Sequence, residues 1–377
     1  MKYADAGVNI DLGDDVSKML YNAAKQTWSN RKGQLGEVIV PFDDFSGVRA
    51  IDVSQLPKGT LMNISFDGIG TKTEIAERSR NHRTMAYDLF AMVCDDAVVR
   101  GAEPVLVGSI LDVRSLKGTD ETPFLDEVRQ LAQGYIEAAN AANVAVVNGE
   151  VAELGSRVSG YGEFNYNWGA AVVWFAHKDR IFTGKEIQEG DMLVGLREHG
   201  FRSNGLSLVR KVMLAHHGPE WHQVTLKKDG TLADLVLKPS CIYTKAAVEM
   251  FGGYYNEPKA NVHGIVHITG GGLPGKLGRV LKPSGLGAMI DNPFLPSEFM
   301  LYVQAQGNIS DREAYRTWNM GQGMVIITPE PDAVIAVAHS YEIESQVIGR
   351  ITSTTGIRIV NKGAFVETNR EPEMIFV

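Results

Sequence analysis

Cysteine is almost missing. Two residues, Cys94 and Cys241, stand far apart in a chain of 377 and without CxxC spacing. That argues against a disulfide framework and against a thiolate zinc site. Positive charge is also in deficit: 37 Lys and Arg face 45 Asp and Glu, a net charge of −8. No basic stripe appears anywhere, so nucleic acid is not an expected partner. A small anionic substrate would have to be met by local donors. No apolar run is long enough to span a membrane, and the opening MKYADAGVNIDLGDD has no apolar leader core. The expectation is a cytoplasmic, reducing setting with no membrane partner. Neither a GxSxG elbow nor an HExxH motif occurs, which leaves phosphate and metal chemistry as the class to pursue.

What is present belongs to a folded globular protein: 44% apolar residues, 22% charged, and no low-complexity tract. The length suits two domains of about 150–200 residues each. The first 50 residues are polar and glycine-punctuated, with a short amphipathic stretch at Val16–Ala24, and read as a mobile arm or a flap. From Thr60 to Phe66, Met62, Ile64 and Phe66 alternate with polar residues; this predicts a half-buried strand whose polar side ends on Asp67. A helix is expected over Thr84–Arg100, closed by Gly101 and Pro104. Then come a strand at Val105–Val113, a helix entered by Thr122 and Pro123, a strand at Val144–Val147 and a strand at Ala170–Ala176.

The turn-rich stretch His177–Gly190 marks a boundary, giving domains 1–178 and 179–377. Beyond it the pattern predicts strand Met192–Leu196, helices Leu206–Ala215 and Tyr243–Met250, strand Val262–Ile268 and helix Gly275–Leu281. Strand Gly323–Thr328, helix Ala333–Tyr341 and a terminal hairpin near Val347–Val360 complete it. Strands and helices alternate in both halves, so the fold class is α/β, mixed with α+β character.

Candidate chemistry gathers at a few places. On the helical wheel of 84–100, Asp96 falls within the stripe of Met85, Leu89, Met92 and Val99, with Asp88 and Asp95 at its margin. A carboxylate there needs a cation or donors; a structural ion pair and a metal site both satisfy that need. Asp67 runs into Gly68-Ile69-Gly70-Thr71-Lys72, and Glu150 follows Asn148-Gly149 after another strand. Carboxylates at the ends of adjacent strands face the crevice where α/β proteins bind ligands. Asp67, Asp96 and Glu150 therefore make a reasonable Mg²⁺ ligand set. The loop of Gly68 and Gly70 is not a Walker A loop, but its backbone can approach a phosphate with Lys72 neutralising charge. In the second half, Ser203-Asn204-Gly205 opens a helix and Thr269-Gly270-Gly271-Gly272 follows a strand; both are anion-site candidates. His263 and His267 share one face of that strand and read as structural histidines.

Eight segments then fall in order: YADAGVNIDLG (3–13), SFDGIGTK (65–72), YDLFAMVCDD (87–96), RGAEP (100–104), NGEVAE (148–153), SNGLSLVRK (203–211), HITGGG (267–272) and YRTWNMGQGM (315–324). Together, and through about residue 330, they resemble the phosphoribosylformylglycinamidine cyclo-ligase family, also called aminoimidazole ribonucleotide synthetase. The resemblance implies ATP-dependent closure of formylglycinamidine ribonucleotide to aminoimidazole ribonucleotide. It also implies ATP and Mg²⁺ as required small molecules, with K⁺ left open. It implies a homodimer whose N-terminal sheets join into a barrel, with a C-terminal α/β domain of sheet flanked by helices. Carried over by motif, Asp67, Asp96 and Glu150 become metal and nucleotide ligands, and Lys72 joins them as catalytic. Gly68, Gly70, Thr71, Lys72 and Asp88 become the ATP-binding set. Arg202, Ser203, Asn204 and Gly205 with Thr269, Gly270, Gly271 and Gly272 become the substrate-binding set. Departures are visible: Arg202 stands where the family usually has His, Asp95-Asp96 replaces Asn-Asp, Asn148-Gly149-Glu150 replaces Gly-Gly-Glu, and the loop Leu154–Tyr166 lacks a Pro-Gly-Met-Tyr run. Thiamine-monophosphate kinase, or a nucleotide-binding regulator without catalysis, are the alternative readings.

Overall fold

Residues 10–40, 48–226 and 230–376 are described by the structure, a computed structural model. The chain divides into two units, Met1–Ala97 with Pro104–Phe175 and Val98–Glu103 with Ala176–Val377. Residues 3–9 of the glycine-punctuated arm lie outside the described residues.

In the first unit the elements run α1 (Ile10–Thr27), β1 (Thr60–Gly68), α2 (Thr73–Ser79), α3 (Met85–Val98), β2 (Glu103–Val113), α4 (Leu125–Ala142), β3 (Ala145–Glu153) and β4 (Tyr166–His177). The sheet is open, in the order β1-β4-β2-β3. β2 and β3 are parallel, as a strand–helix–strand crossover through α4 requires. α4 buries Val128, Leu131, Tyr135, Ala138, Ala139 and Ala142 at helical spacing and stops at Asn143, whose φ of 56° is left-handed.

Residues 10–27 are not a loose arm. They form α1, which packs on α4 and β3. Just beyond it, Val146 donates its N–H to Thr27 Oγ1 (2.8 Å), and Trp28 Nε1 donates to Val146 O (2.7 Å). Asn30 Nδ2 donates to Val144 O at 3.0 Å. β3 is an end strand, and these side chains satisfy backbone groups that no neighbouring strand meets.

Two expectations are corrected. The alternation in β1 is real, but its apolar side faces outward: Met62 is 63% exposed, Ile64 45% and Phe66 72%. No described element of the chain covers that face. The strand before Asn148 does not end there either; β3 continues through Glu153, so Asn148-Gly149-Glu150 is strand rather than turn.

The second unit contains β5 (Met192–Arg197), α5 (Leu206–His217), α6 (Leu232–Val236), α7 (Thr244–Phe251), β6 (Gly264–His267), α8 (Gly272–Leu281) and β7 (Gly287–Ile290). It continues with α9 (Glu298–Gln306), α10 (Asp311–Thr317), β8 (Gln322–Thr328), α11 (Pro331–Ser340), β9 (Ser345–Thr352), β10 (Ile357–Val360), α12 (Val366–Asn369) and β11 (Glu373–Phe376). Seven strands make one sheet in the order β11-β10-β7-β9-β5-β8-β6. Every residue of β8 is buried, as expected of an inner strand. The α7 residues Ala246, Ala247 and Met250 and the α11 residues Val334 and Ala338 close the core over Val194, Leu196, Met324 and Ile326.

The expected terminal hairpin does not form. β9 pairs with β5 and β7, while β10 pairs with β7 and β11. β7 has slipped between the two strands, a non-local pairing that local alternation cannot reveal. Among the described residues, no helix is long and apolar enough to cross a membrane.

Gly134 lies within α4, where an added Cβ would sit 1.9 Å from the Arg83 carbonyl oxygen. Helix propensity favours Ala over Gly by roughly 0.5–1 kcal/mol, but a clash with backbone cannot be relieved by a side-chain rotation. Gly134→Ala is therefore expected to destabilise by about 1–3 kcal/mol, read as a lower urea midpoint at unchanged slope. A raised midpoint would show that α4 can shift away from Arg83.

Candidate functional site

The first unit places its acids unequally. Asp67 is the penultimate residue of β1, and its Oδ1 accepts the Gly68 N–H at 2.7 Å, which fixes the carboxylate at the mouth of the turn. Residues 70–72 make one tight helical turn leading into α2. There Gly70 takes φ 70° and, with Thr71, stays exposed. Asp67 and Glu150 line one groove of about 490 Å³, together with Phe66, Ser109, Asn148 and Ala170. Glu150, exposed on β3, also lines a second cavity of about 340 Å³ with Tyr21, Arg49, Tyr135 and Trp168. Between the two, Ser109 Oγ receives the Tyr135 hydroxyl at 2.7 Å and the Trp168 indole N–H at 3.2 Å.

Asp67 and Glu150 are not on adjacent strands. β1 and β3 are the two ends of the sheet, three strand spacings or about 14 Å apart. Among the described residues, no three His, Cys, Asp or Glu side chains gather closely enough to hold a metal ion. The set Asp67, Asp96 and Glu150 is thus not brought together as one cluster.

Asp96 is also turned the other way from its expected place. From Asp88 to Val98 it is the one exposed residue, while Asp88 and Asp95 are fully buried. α3 is apolar on nearly every side, so a stripe drawn on its wheel does not orient it. Asp88 meets Lys72, whose Nζ donates to both carboxylate oxygens at 2.8 Å with both side chains at 0% exposure. Lys72 was expected in the loop; it lies beneath it, anchored to α3.

The segment between β3 and β4 is held from α2. Glu77 accepts the N–H groups of Tyr161 (2.9 Å) and Tyr166 (3.2 Å). Burial pushes its carboxyl up from the ordinary value, against the pull of those amide bonds. Beside it His82 Nδ1 lies 3.0 Å from the Tyr166 hydroxyl, and burial pushes the imidazole down to about 3. Both serve packing.

The second unit does assemble its motifs. Gly205 (φ 74°) precedes α5 and Gly271 (φ 98°) precedes α8. A Cβ on Gly205 would lie 2.6 Å from the Trp318 ring, one on Gly272 would lie 1.9 Å from Tyr315 O, and one on Gly270 would lie 3.8 Å from Asn204 Nδ2. Residues 203–205, 269–272 and 315–318 therefore close around one point. Trp318 Nε1 donates to Gly205 O at 3.4 Å, and Asn319 Nδ2 to Gly200 O at 2.8 Å. Two helix N-termini meet here, and such ends bind anions through free N–H groups. Ser203 Oγ and Asn204 Oδ1 are buried with no hydrogen-bond partner among the described residues. Buried polar atoms are nearly always paired, so two such atoms at a motif junction leave acceptor capacity that a ligand could use. Trp318 and Asn319 were in a quoted motif but were not singled out; their role as props appears only once the fold brings them in.

Arg202 is not part of that surface. It is 1% exposed with a left-handed φ of 61°. Its NH1 donates to Glu198 Oε2 (2.9 Å) and Cys241 O (3.0 Å), and NH2 lies 2.8 Å from His267 Nε2. The expected substrate-binding arginine is occupied internally; Glu198, four residues upstream, was the overlooked signal. His263 is paired as well, its Nδ1 2.8 Å from Asp191 Oδ2.

Removing one partner of a buried pair costs about 3–5 kcal/mol. Lys72→Met strands the Asp88 carboxylate and is expected to destabilise by that order, with Lys72→Met/Asp88→Leu recovering most of the loss in urea unfolding. A single variant as stable as the native chain would mean that Lys72 does not reside beneath the loop.

Residues 48–172 match the family model described as "AIR synthase related protein, N-terminal domain", and 188–362 match the corresponding C-terminal domain. A phosphoribosylformylglycinamidine cyclo-ligase of Methanocaldococcus jannaschii is 34% identical, covering 96% of this chain and 95% of its own. One of Thermococcus kodakarensis is 31% identical, covering 96% and 99%. Among solved structures, an E. coli hydrogenase maturation protein superposes with TM-score 0.58 at 16% identity, covering 92% of this chain and 93% of its own. A thiamine-monophosphate kinase of Stenotrophomonas maltophilia superposes with TM-score 0.54 at 14% identity, covering 91% and 96%. These distant likenesses show the fold alone. With curated relatives aligned almost end to end and both domain models matched in order, the chain belongs to the phosphoribosylformylglycinamidine cyclo-ligase family.

Proposed function

We propose that this chain is an ATP-dependent ligase that converts formylglycinamidine ribonucleotide and ATP into aminoimidazole ribonucleotide, ADP and phosphate, closing the ring in purine synthesis. The observation that carries the reading is the junction of 203–205 with 269–272. There two helix N-termini come together beside two buried side-chain atoms without partners among the described residues, in a member of this family.

The chemistry needs a leaving group. Phosphorylation of the substrate's amide oxygen by ATP converts a poorly departing oxygen into phosphate; the amidine-side nitrogen then attacks the same carbon and a five-membered ring closes. Little of this requires a nucleophile from the protein. Positioning and neutralisation of charge do most of the work, as in other phosphoryl transfers. The backbone N–H groups of Gly270 and Gly271 donate to phosphate oxygens, while that of Gly272 closes the turn on Thr269 O at 2.9 Å. Ser203 and Asn204 take hydrogen bonds from the substrate. Asp67, Thr71 and the turn at Gly68 and Gly70 face the nucleotide, with the Lys72–Asp88 pair stiffening that turn from below.

Asp67, Asp96 and Glu150 offer hard carboxylate oxygens, which suit Mg²⁺. Mg²⁺ takes one or two carboxylates plus phosphate oxygens, so a nucleotide-borne ion does not require all three acids in one cluster. When bound it offsets the charge of the phosphates. The setting is cytoplasmic.

A second copy of the chain covers the outward face of β1. Met62, Ile64 and Phe66 stand exposed there with Ile110 of β2, a contiguous apolar face of the kind that marks an interface. Light scattering is expected to give a dimer, and Phe66→Asp a monomer; a native monomer would remove the dimer.

The function is tested by incubating purified protein with formylglycinamidine ribonucleotide, ATP, Mg²⁺ and K⁺ and following ADP and the aromatic amine together. Both should appear in equal amounts. Asp96→Asn, at the exposed position of α3, should reduce turnover by on the order of 100-fold or more with an unchanged melting temperature. ATP binding without either product would overturn the proposed reaction, and near-native activity of Asp96→Asn would remove that acid from the site.

A further inference from the structure

We infer that Arg202 is a positioning residue whose buried guanidinium sets both walls of the substrate subsite formed by residues 203–204 and 269–270. The inference rests on reading those segments as the substrate-holding site.

Arg202 reaches one wall through its own backbone and the other through a side chain. On the first side, its left-handed φ of 61° turns the chain directly into Ser203 and Asn204. A non-glycine residue holds that conformation at a cost and only where its surroundings over-determine it. Here they do. Glu198 Oε2 accepts from Arg202 NH1 at 2.9 Å and from the Cys241 N–H at 3.1 Å, and Cys241 O accepts from the same NH1 at 3.0 Å. Glu198 Oε1 takes the His199 and Gly200 amides at 2.9 and 3.3 Å. The turn from β5 to α5 is thereby closed around one carboxylate and one guanidinium.

On the second side, Arg202 NH2 lies 2.8 Å from His267 Nε2. A guanidinium has no lone pair to offer, so Nε2 is the acceptor and the neutral ring carries its proton on Nδ1. His267 is the last residue of β6, and three residues later Gly270 faces Asn204 across 3.8 Å from its would-be Cβ. A single planar fork thus links the two walls from beneath, beside the props that Trp318 and Tyr315 give to Gly205 and Gly272. Lysine keeps the charge but is a point donor on a flexible stem, and cannot hold divergent acceptors in one plane.

The test is steady-state kinetics of Arg202→Lys with each substrate varied in turn, beside its thermal melt. The KM for formylglycinamidine ribonucleotide is expected to rise on the order of 10-fold or more, while kcat and the KM for ATP stay within about threefold. A merely structural role would instead lower the melting temperature and move all three constants together. That outcome, or an unchanged KM, overturns the assignment. If Arg202→Lys does not fold, His267→Phe removes the second link while leaving Glu198, Cys241 and Arg202 joined. The same selective rise is expected, and its absence overturns the inference. A native enzyme that forms no product at all fails the proposed reaction instead, so the two failures are distinct.

Discussion

An ionised side chain taken out of water has to be met at hydrogen-bond distance, and each unit places such a pair directly under its glycine-rich turn. Lys72 and Asp88 lie below residues 68–71, and Arg202 and Glu198 lie below residues 203–205. In neither case does the pair touch the surface, since all four side chains are at most 1% exposed. Desolvating charges is costly and such pairs are poor sources of stability by themselves. What they supply is a fixed geometry for a stretch of backbone whose glycines do little to fix their own.

The glycines and the charges answer one another. Gly205 and Gly272 are required because the Trp318 ring and the Tyr315 carbonyl occupy the space a Cβ would need. The close approach lets two helix starts lie side by side, and that leaves free amide groups converging where peptide dipoles favour an anion. A loop built this way has few side chains with which to lock itself, and Ser203 Oγ and Asn204 Oδ1 have no partner among the described residues. The guanidinium at Arg202 provides the lock from inside.

Much of this could be read from residues alone, and the exceptions share a cause. α4, β5, β8 and α11 follow from periodicity because each has one distinct inward direction or is buried throughout. The turns at 203–205 and 269–272 were legible as helix entries, since Gly205 and Gly271 take a left-handed φ directly before α5 and α8. Asp96 was misplaced in orientation because α3 is apolar on nearly every side, so the wheel separates Asp95 from Asp96 without showing which direction faces the core. β1 was read as half buried because alternation says which residues share a face, not whether anything in the same chain covers it. Arg202 was placed in the substrate-binding set with its sequence neighbours, whereas its side chain is taken by Glu198 four residues upstream and by Cys241 and His267, 39 and 65 residues away. The hairpin at 347–360 failed for the same reason, with β7 entering from a distant part of the chain. Local pattern carries element type well; it does not carry the identity of distant partners.

The treatment of β3 has a consequence for how copies of this chain can add to one another. Thr27, Trp28 and Asn30 occupy the backbone groups of Val144 and Val146 at the start of that margin. A strand arriving from another copy therefore finds the first outward-pointing groups of β3 already taken by side chains. An end strand with open backbone groups is a template for edge-to-edge pairing. The residues immediately after α1 thus shorten the length of β3 that such pairing could use, with a tryptophan indole and a threonine hydroxyl where other folds place a proline or a charge.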